Sequence, residues 1–226
     1  MMPSRTVNIG GFLRFGQKEH IYDLFENGTV YCNTLKFFRD HENPAIGDKY
    51  EGTSRLVNTA QIKCFEITIP GDQSNRRIKL NPSAIHFREF YSDPILNLYC
   101  LYTVDTDEVI KKAIYRIDEE MTRFEASHLI IIHTPGVFIE RMVKAIRTAN
   151  RHATYGFVEY YDKKTYSGDL NLFHKPNEFA YQKEFRFVIG NDVQQPLVLK
   201  LGSLKDISIV LEATALPSLE FRHIAI

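Results

Sequence analysis

The sequence predicts an α+β fold in a single domain spanning residues 1–226, with a helical insert at about 106–151. Three observations lead there. Runs rich in β-branched and aromatic residues, bounded by Pro, Gly or Asp, lie on both sides of the insert and read as strands. No regular strand–helix alternation runs through the chain, which argues against a doubly wound parallel sheet. The chain of 226 residues is 44% apolar and carries no repeat, low-complexity tract or convincing linker, so one core is expected to bury most of its apolar residues.

The elements follow in order. Residues 11–15 are extended. Residues 18–27 place Ile21, Leu24 and Phe25 on one helical face, and Gly28 supplies the stop. A strand at 29–33 comes next, and Asn33-Thr34 has the chemistry of a helix N-cap for 35–39. Residues 39–55 are polar and charged and carry Tyr50, which suggests an ordered loop or lid; Asp48 and Glu51 within it also suit a solvated turn. Strands are predicted at 57–69, 85–91 and 95–103, with a turn at 70–77. The insert should hold one or two helices over 106–124, a short buried strand at 129–132, and an amphipathic helix at 136–151 whose apolar side carries Phe138, Met142, Ala145, Ile146 and Ala149. Strands at 155–161, 184–189, 197–201 and 207–211 complete the chain.

Charge and composition exclude several classes. Lys plus Arg number 28 and Asp plus Glu number 28, so no global field favours a polyanion or a membrane surface. No membrane partner is expected. Cys32, Cys64 and Cys100 are odd in number, widely spaced and set among apolar neighbours, which reads as reduced, buried thiols of a cytoplasmic protein. The histidines lack ligand spacing, so no metal is expected.

Chemistry concentrates in residues 179–189. Here Gln182, Glu184 and Arg186 alternate with Phe185 and Phe187, so the polar set should share the strand face turned to a cleft or solvent. An edge strand decorated with charges would show the same pattern. Gln182-Lys183-Glu184 at the mouth of a strand resembles the Q/E-x-E motif of ADP-ribosyltransferases. Arg14 resembles that family's first-strand Arg, and Tyr31-Cys32-Asn33-Thr34 resembles its aromatic, Ser/Thr-containing second motif, with Asn33 where a Ser is expected. Over more of the chain, residues 24–31, 47–52 and 181–186 are similar to bacterial phage-defence toxins placed near that family, including mRNA-modifying toxins governed by an antitoxin and a chaperone.

The resemblance implies a split β-sheet core and NAD as co-substrate, without a metal. It implies Glu184 as the catalytic carboxylate, Gln182 as the residue orienting an acceptor, and Arg14, Tyr31, Asn33, Thr34, Phe38 and Tyr50 around NAD. Breaking a nicotinamide–ribose bond develops positive charge on the sugar, which a carboxylate stabilises. Replacing Glu184 by Ala is therefore expected to abolish transfer and leave the fold intact. Each residue also has a plainer use: a surface ion pair for Arg14, core packing for Tyr31 and Phe38.

Arg141, Lys144, Arg147 and Arg151 recur at helical spacing, giving either a solvated face or a stripe for a nucleic-acid acceptor, single-stranded RNA first. Tyr155, Phe157, Tyr160 and Tyr161 would allow base stacking. Two other function classes stay open. One is a non-catalytic module sensing a nucleotide or phage protein, favoured if Glu184 is buried against structural partners. The other is a nuclease holding Mg²⁺ through Asp48, Glu51 and Glu184.

Overall fold

The structure is a computed structural model and describes residues 8–58, 64–71, 74, 76–80, 84–87, 95–112 and 114–224. β1 (Ile9–Gly16) leads into α1 (Lys18–Asn27), which ends at Gly28 in the left-handed region, φ 62°. A Cβ on Gly28 would lie 1.9 Å from the Gly202 carbonyl oxygen, so only glycine lets the two backbones meet here. β2 (Thr29–Thr34) passes into α2 (Leu35–Asp40), where the Thr34 hydroxyl accepts from the Phe37 amide as the predicted cap. Smaller sheets follow: β3 (Arg55–Asn58), the β4–β5 hairpin (Phe65–Thr68, Arg77–Leu80) and β6 (Ala84–Phe87). The strand expected over 57–69 is thus two separate strands, with 59–63 outside the described residues, as is 88–91 of the one expected at 85–91.

β7 (Leu96–Asp105) is the central strand. The helices expected over 106–124 are two short ones, α3 (Thr106–Lys111) and a 3-10 helix (Glu119–Phe124), with the two-residue β8 (Tyr115–Arg116) between them. Asp105 and Asp118 each accept an amide two residues on, so each starts a new short element. β9 (His128–Ile132) and α4 (Pro135–Thr148) match expectation. Then come β10 (Ala153–Phe157), β11 (Glu159–Tyr161), β12 (Gly168–Asp169), β13 (His174–Pro176), a 3-10 turn (Asn177–Gln182), β14 (Glu184–Gly190), β15 (Leu197–Lys200), β16 (Ser208–Glu212) and β17 (Glu220–Phe221).

The main sheet has eight strands, ordered β10-β14-β7-β1-β9-β16, with β2 joining β7 to β15. All its pairings are antiparallel, consistent with α+β. On one side of the sheet Phe12, Leu101, Phe185 and Phe187 meet Phe138, Met142 and Ile146 of α4. On the other, Leu13, Tyr102 and Leu129 pack with Tyr115 and Met121, while Leu98 and Val188 pack with Leu35. Between those last two clusters the layer is polar rather than apolar.

The sheet opens there. β14 pairs β7 along Leu96–Tyr102, but the opposite edge is shared: β1 takes residues from Tyr102 onward, and β2 takes only Asn97 and Leu98. Residues 99–101 therefore have no strand on that edge, and the Arg14 guanidinium fills the gap, donating from Nη1 to the Cys100 carbonyl at 2.8 Å. Among the described residues no helix is long and apolar enough to cross a membrane. Cys32 is buried and Cys100 half-buried, but Cys64 is exposed, contrary to expectation, because it lies at the base of the β4–β5 hairpin outside the core clusters.

Candidate functional site

A cavity of about 270 Å³ lies at the opening in the sheet. Arg14, Asn33, Phe38, Gln182 and Glu184 all line it, so five of the eight residues singled out around NAD meet in one place. A second cavity of about 700 Å³ on the α1 side shares Arg14, Asn33 and Phe37 with it. Tyr31 and Thr34 border only this second cavity, and Tyr31 is 52% exposed. Tyr50 borders neither: its ring lies 5.0 Å from the Lys49 ammonium and 5.1 Å from that of Lys163, on the outer side of the 41–54 loop. Tyr31, Thr34 and Tyr50 are thus not beside Glu184: Tyr31 pairs with Val198 of β15, and Thr34 pairs with Asn97, at the opposite end of β7 from the Tyr102 that pairs with Glu184.

The cavity wall is charged and buried. Arg186 is 1% exposed and Glu184 4%, yet both are ionised. Arg186 donates from Nε to Glu184 Oε1 at 2.8 Å and holds Glu51 with both terminal nitrogens, at 2.6 and 3.0 Å. A further bond runs to the Leu172 carbonyl, so four of the five guanidinium N–H donors are used. Lys175, from β13, donates to Glu184 Oε2 at 3.1 Å and to Gln182 Oε1 at 2.6 Å. Burial pushes the Glu184 pKa up, but Arg186 and Lys175 outweigh it and hold the carboxyl well below the usual carboxylate range. Burial and the Glu184 charge push the Cys100 thiol far up, so it stays protonated.

Two expectations about this segment need correction. Gln182 and Glu184 face the same cavity, but not by strand alternation: Gln182 ends a 3-10 turn, and Lys183 between them is left-handed, φ 40°. Lys183 is held by Glu108 and Tyr115 on the far side. Nor is the Gln182 amide free to orient an acceptor. Its oxygen accepts from Lys175 and its nitrogen donates to the Ala45 carbonyl at 2.8 Å, which ties the turn before β14 to the 41–54 loop.

That loop is no solvated turn. Asp48 and Glu51 are each 3% exposed, with Glu51 locked to Arg186 and Asp48 accepting the Tyr50 amide at 2.8 Å. Burial first, and the Glu51 charge second, raise the Asp48 pKa to about 6. The folded chain therefore binds a proton there more tightly than the unfolded chain does, and stability falls as pH rises from about 4 to about 6. Asp48→Asn is expected to abolish that fall and to gain about 1–3 kcal/mol at neutral pH. Urea denaturation at several pH values tests this; an unchanged pH profile in the variant contradicts it.

Sequence reasoning missed Lys175, Cys100 and the role of Arg186. Arg186 had a signal, its alternation with Glu184; Asp48 and Glu51 had another, three-residue spacing in one polar loop. Lys175 had none, since only the tertiary fold brings β13 to β14. A Mg²⁺ site on Asp48, Glu51 and Glu184 is not built: Arg186 occupies the position between the two glutamates, and no metal-binding group of three or more acidic, His or Cys residues occurs among the described residues.

The basic stripe is divided and lies on the α4 side of the sheet, away from Glu184. Arg141 pairs with Asp206 and Arg151 with Asp192. Of the stacking candidates, Tyr155 is exposed and Tyr161 is buried, while the Tyr160 hydroxyl accepts from the Glu184 amide at 2.9 Å.

Compared with known proteins, the chain matches no family model, no curated protein and no solved structure.

Proposed function

We propose that the chain is an NAD-dependent mono-ADP-ribosyltransferase with a split-sheet core of that family's kind, acting as a toxin or phage-defence effector on a nucleic acid, RNA first. The observation that carries the reading is the shared cavity: Arg14 from β1 and Glu184 from β14 border one hollow at the point where β1 and β2 part along β7. The nicotinamide–ribose bond breaks with its electron pair leaving on nicotinamide. The ribose carbon then bonds to an acceptor atom, which releases its proton. Glu184, ionised at neutral pH, stabilises the positive charge that builds on the sugar. Its oxygens keep one lone pair beyond those used by Arg186, Lys175 and the Cys100 thiol, and can also accept from a ribose hydroxyl.

Arg14 spends one nitrogen on the Cys100 carbonyl and borders both cavities, which suits a contact to the pyrophosphate joining the two halves of NAD. Phe38, and Phe37 at the shared rim, offer rings to nicotinamide. Arg14→Ala is expected to weaken NAD binding at least tenfold, the loss of about 1.5–3 kcal/mol for a charged hydrogen bond. Calorimetric titration with NAD checks this, and unchanged affinity contradicts the assignment.

One observation favours a second reading, a non-catalytic nucleotide-sensing module: Glu184 is buried, and both its oxygens are engaged by cations that lessen its field. Incubation with labelled NAD and cell lysate, followed by separation of RNA, DNA and protein, decides between them. Label in the RNA fraction with release of nicotinamide supports the enzyme and its acceptor. Saturable NAD binding without nicotinamide release supports the module. An antitoxin and a chaperone are the partners that the resemblance implies for a toxin of this kind.

A further inference from the structure

We propose that the outer side of α4 and the neighbouring edge strand β10 bind single-stranded nucleic acid, with Lys144 and Arg147 meeting phosphates and Tyr155 stacking on a base. The partner is taken from the acceptor proposed above; the binding itself needs no NAD chemistry. Of the four cations in the stripe, Arg141 and Arg151 are already neutralised by Asp206 and Asp192. Lys144 and Arg147 have no acidic partner within ion-pair distance among the described residues. They line a shallow groove with Tyr155, flanked by the apolar Ile139 and Val143, and Glu140 is the one carboxylate there.

Lys144 also borders a groove on the other side of α4 lined by Lys200, whose ammonium donates to the Thr29 hydroxyl. Tyr155 is 47% exposed, and its ring lies 5.3 Å from that of Phe187, which braces it while leaving part of it to solvent. β10 is an end strand of the main sheet, so nothing within the sheet covers this side. From Tyr155 the chain runs directly to Tyr160, which touches the Glu184 backbone, a path of at most about 17 Å at 3.3 Å per residue.

Fluorescence anisotropy with a labelled dodecauridylate, without NAD, at about 50 mM salt tests the surface. The wild type is expected to bind. The double variant Lys144→Glu/Arg147→Glu should lose at least tenfold in affinity. Removing two phosphate contacts with Lys144→Ala/Arg147→Ala should flatten the log–log salt slope by about 1.4. Tyr155→Ala should cost fivefold or more, the stacking of about one base. Arg141→Ala and Arg151→Ala should change binding less than twofold. Absence of wild-type binding, an unaffected double variant, or equal losses from Arg141→Ala and Arg151→Ala overturns the proposal. Nicotinamide release measured without oligonucleotide reports separately on the enzyme reading.

Discussion

Arg186→Met is expected to be the most damaging single substitution in the protein, lowering stability by about 3–5 kcal/mol, enough to unfold a typical domain partly. The guanidinium is 1% exposed and, among the described residues, is the group that bonds both Glu51 and Glu184. Removing it leaves two buried carboxylates, of which Glu184 alone keeps a cation, Lys175, among the described residues, and a buried charge without its partner costs far more than the pair contributes. A second change, Glu51→Gln in the Arg186→Met background, removes one of the stranded charges and should recover part of the loss, because the two sites are in contact and their effects do not add. Chemical denaturation of the single and double variants measures this. Additive losses would mean that Glu51 and Arg186 do not act as a pair.

Glu184→Gln is expected to cut nicotinamide release by at least about a hundredfold, the scale seen when one charge-stabilising group is removed from a transition state. Gln keeps the volume and one acceptor oxygen but not the charge. The variant should also lose about 1–3 kcal/mol of stability, because Arg186 and Lys175 each lose a charged acceptor. Glu184→Ala, expected from the sequence to spare the fold, would also open a hole in this wall and is the poorer test. Acid pH reports on the same carboxylate: its folded pKa is depressed, so the stability it contributes is complete above about pH 4.5 and disappears as pH falls. Asp48 acts oppositely, which should leave a stability maximum on the acid side of neutrality.

Much of the fold was legible because local chemistry decided it. The periodicity of Ile21, Leu24 and Phe25 ending on Gly28 marks α1 to the residue, and the Thr34 cap marks α2. Over 106–124 the helical pattern yields two short helices, each started by an aspartate, Asp105 or Asp118, whose carboxylate accepts the amide two residues on. At the site, alternation in β14 put Glu184 and Arg186 on one face but could not show that they bond each other. Burial of Asp48 and Glu51, the arrival of Lys175 and the sequestration of the Gln182 amide all depend on contacts across 7 to 137 positions of the chain. The stripe on α4 was visible as spacing, whereas its division into paired and unpaired cations depends on Asp192 and Asp206, which follow it by 41 and 65 positions.

The central claim is that the Glu184 charge, held by Arg186 and Lys175, promotes cleavage of NAD bound against Arg14. The most direct measurement is nicotinamide release by wild type and Glu184→Gln at saturating NAD, with NAD affinity determined for both. The account predicts similar affinities and a rate lower by about a hundredfold or more in the variant. Equal release rates, or no release by the wild type with every acceptor fraction supplied, would contradict it.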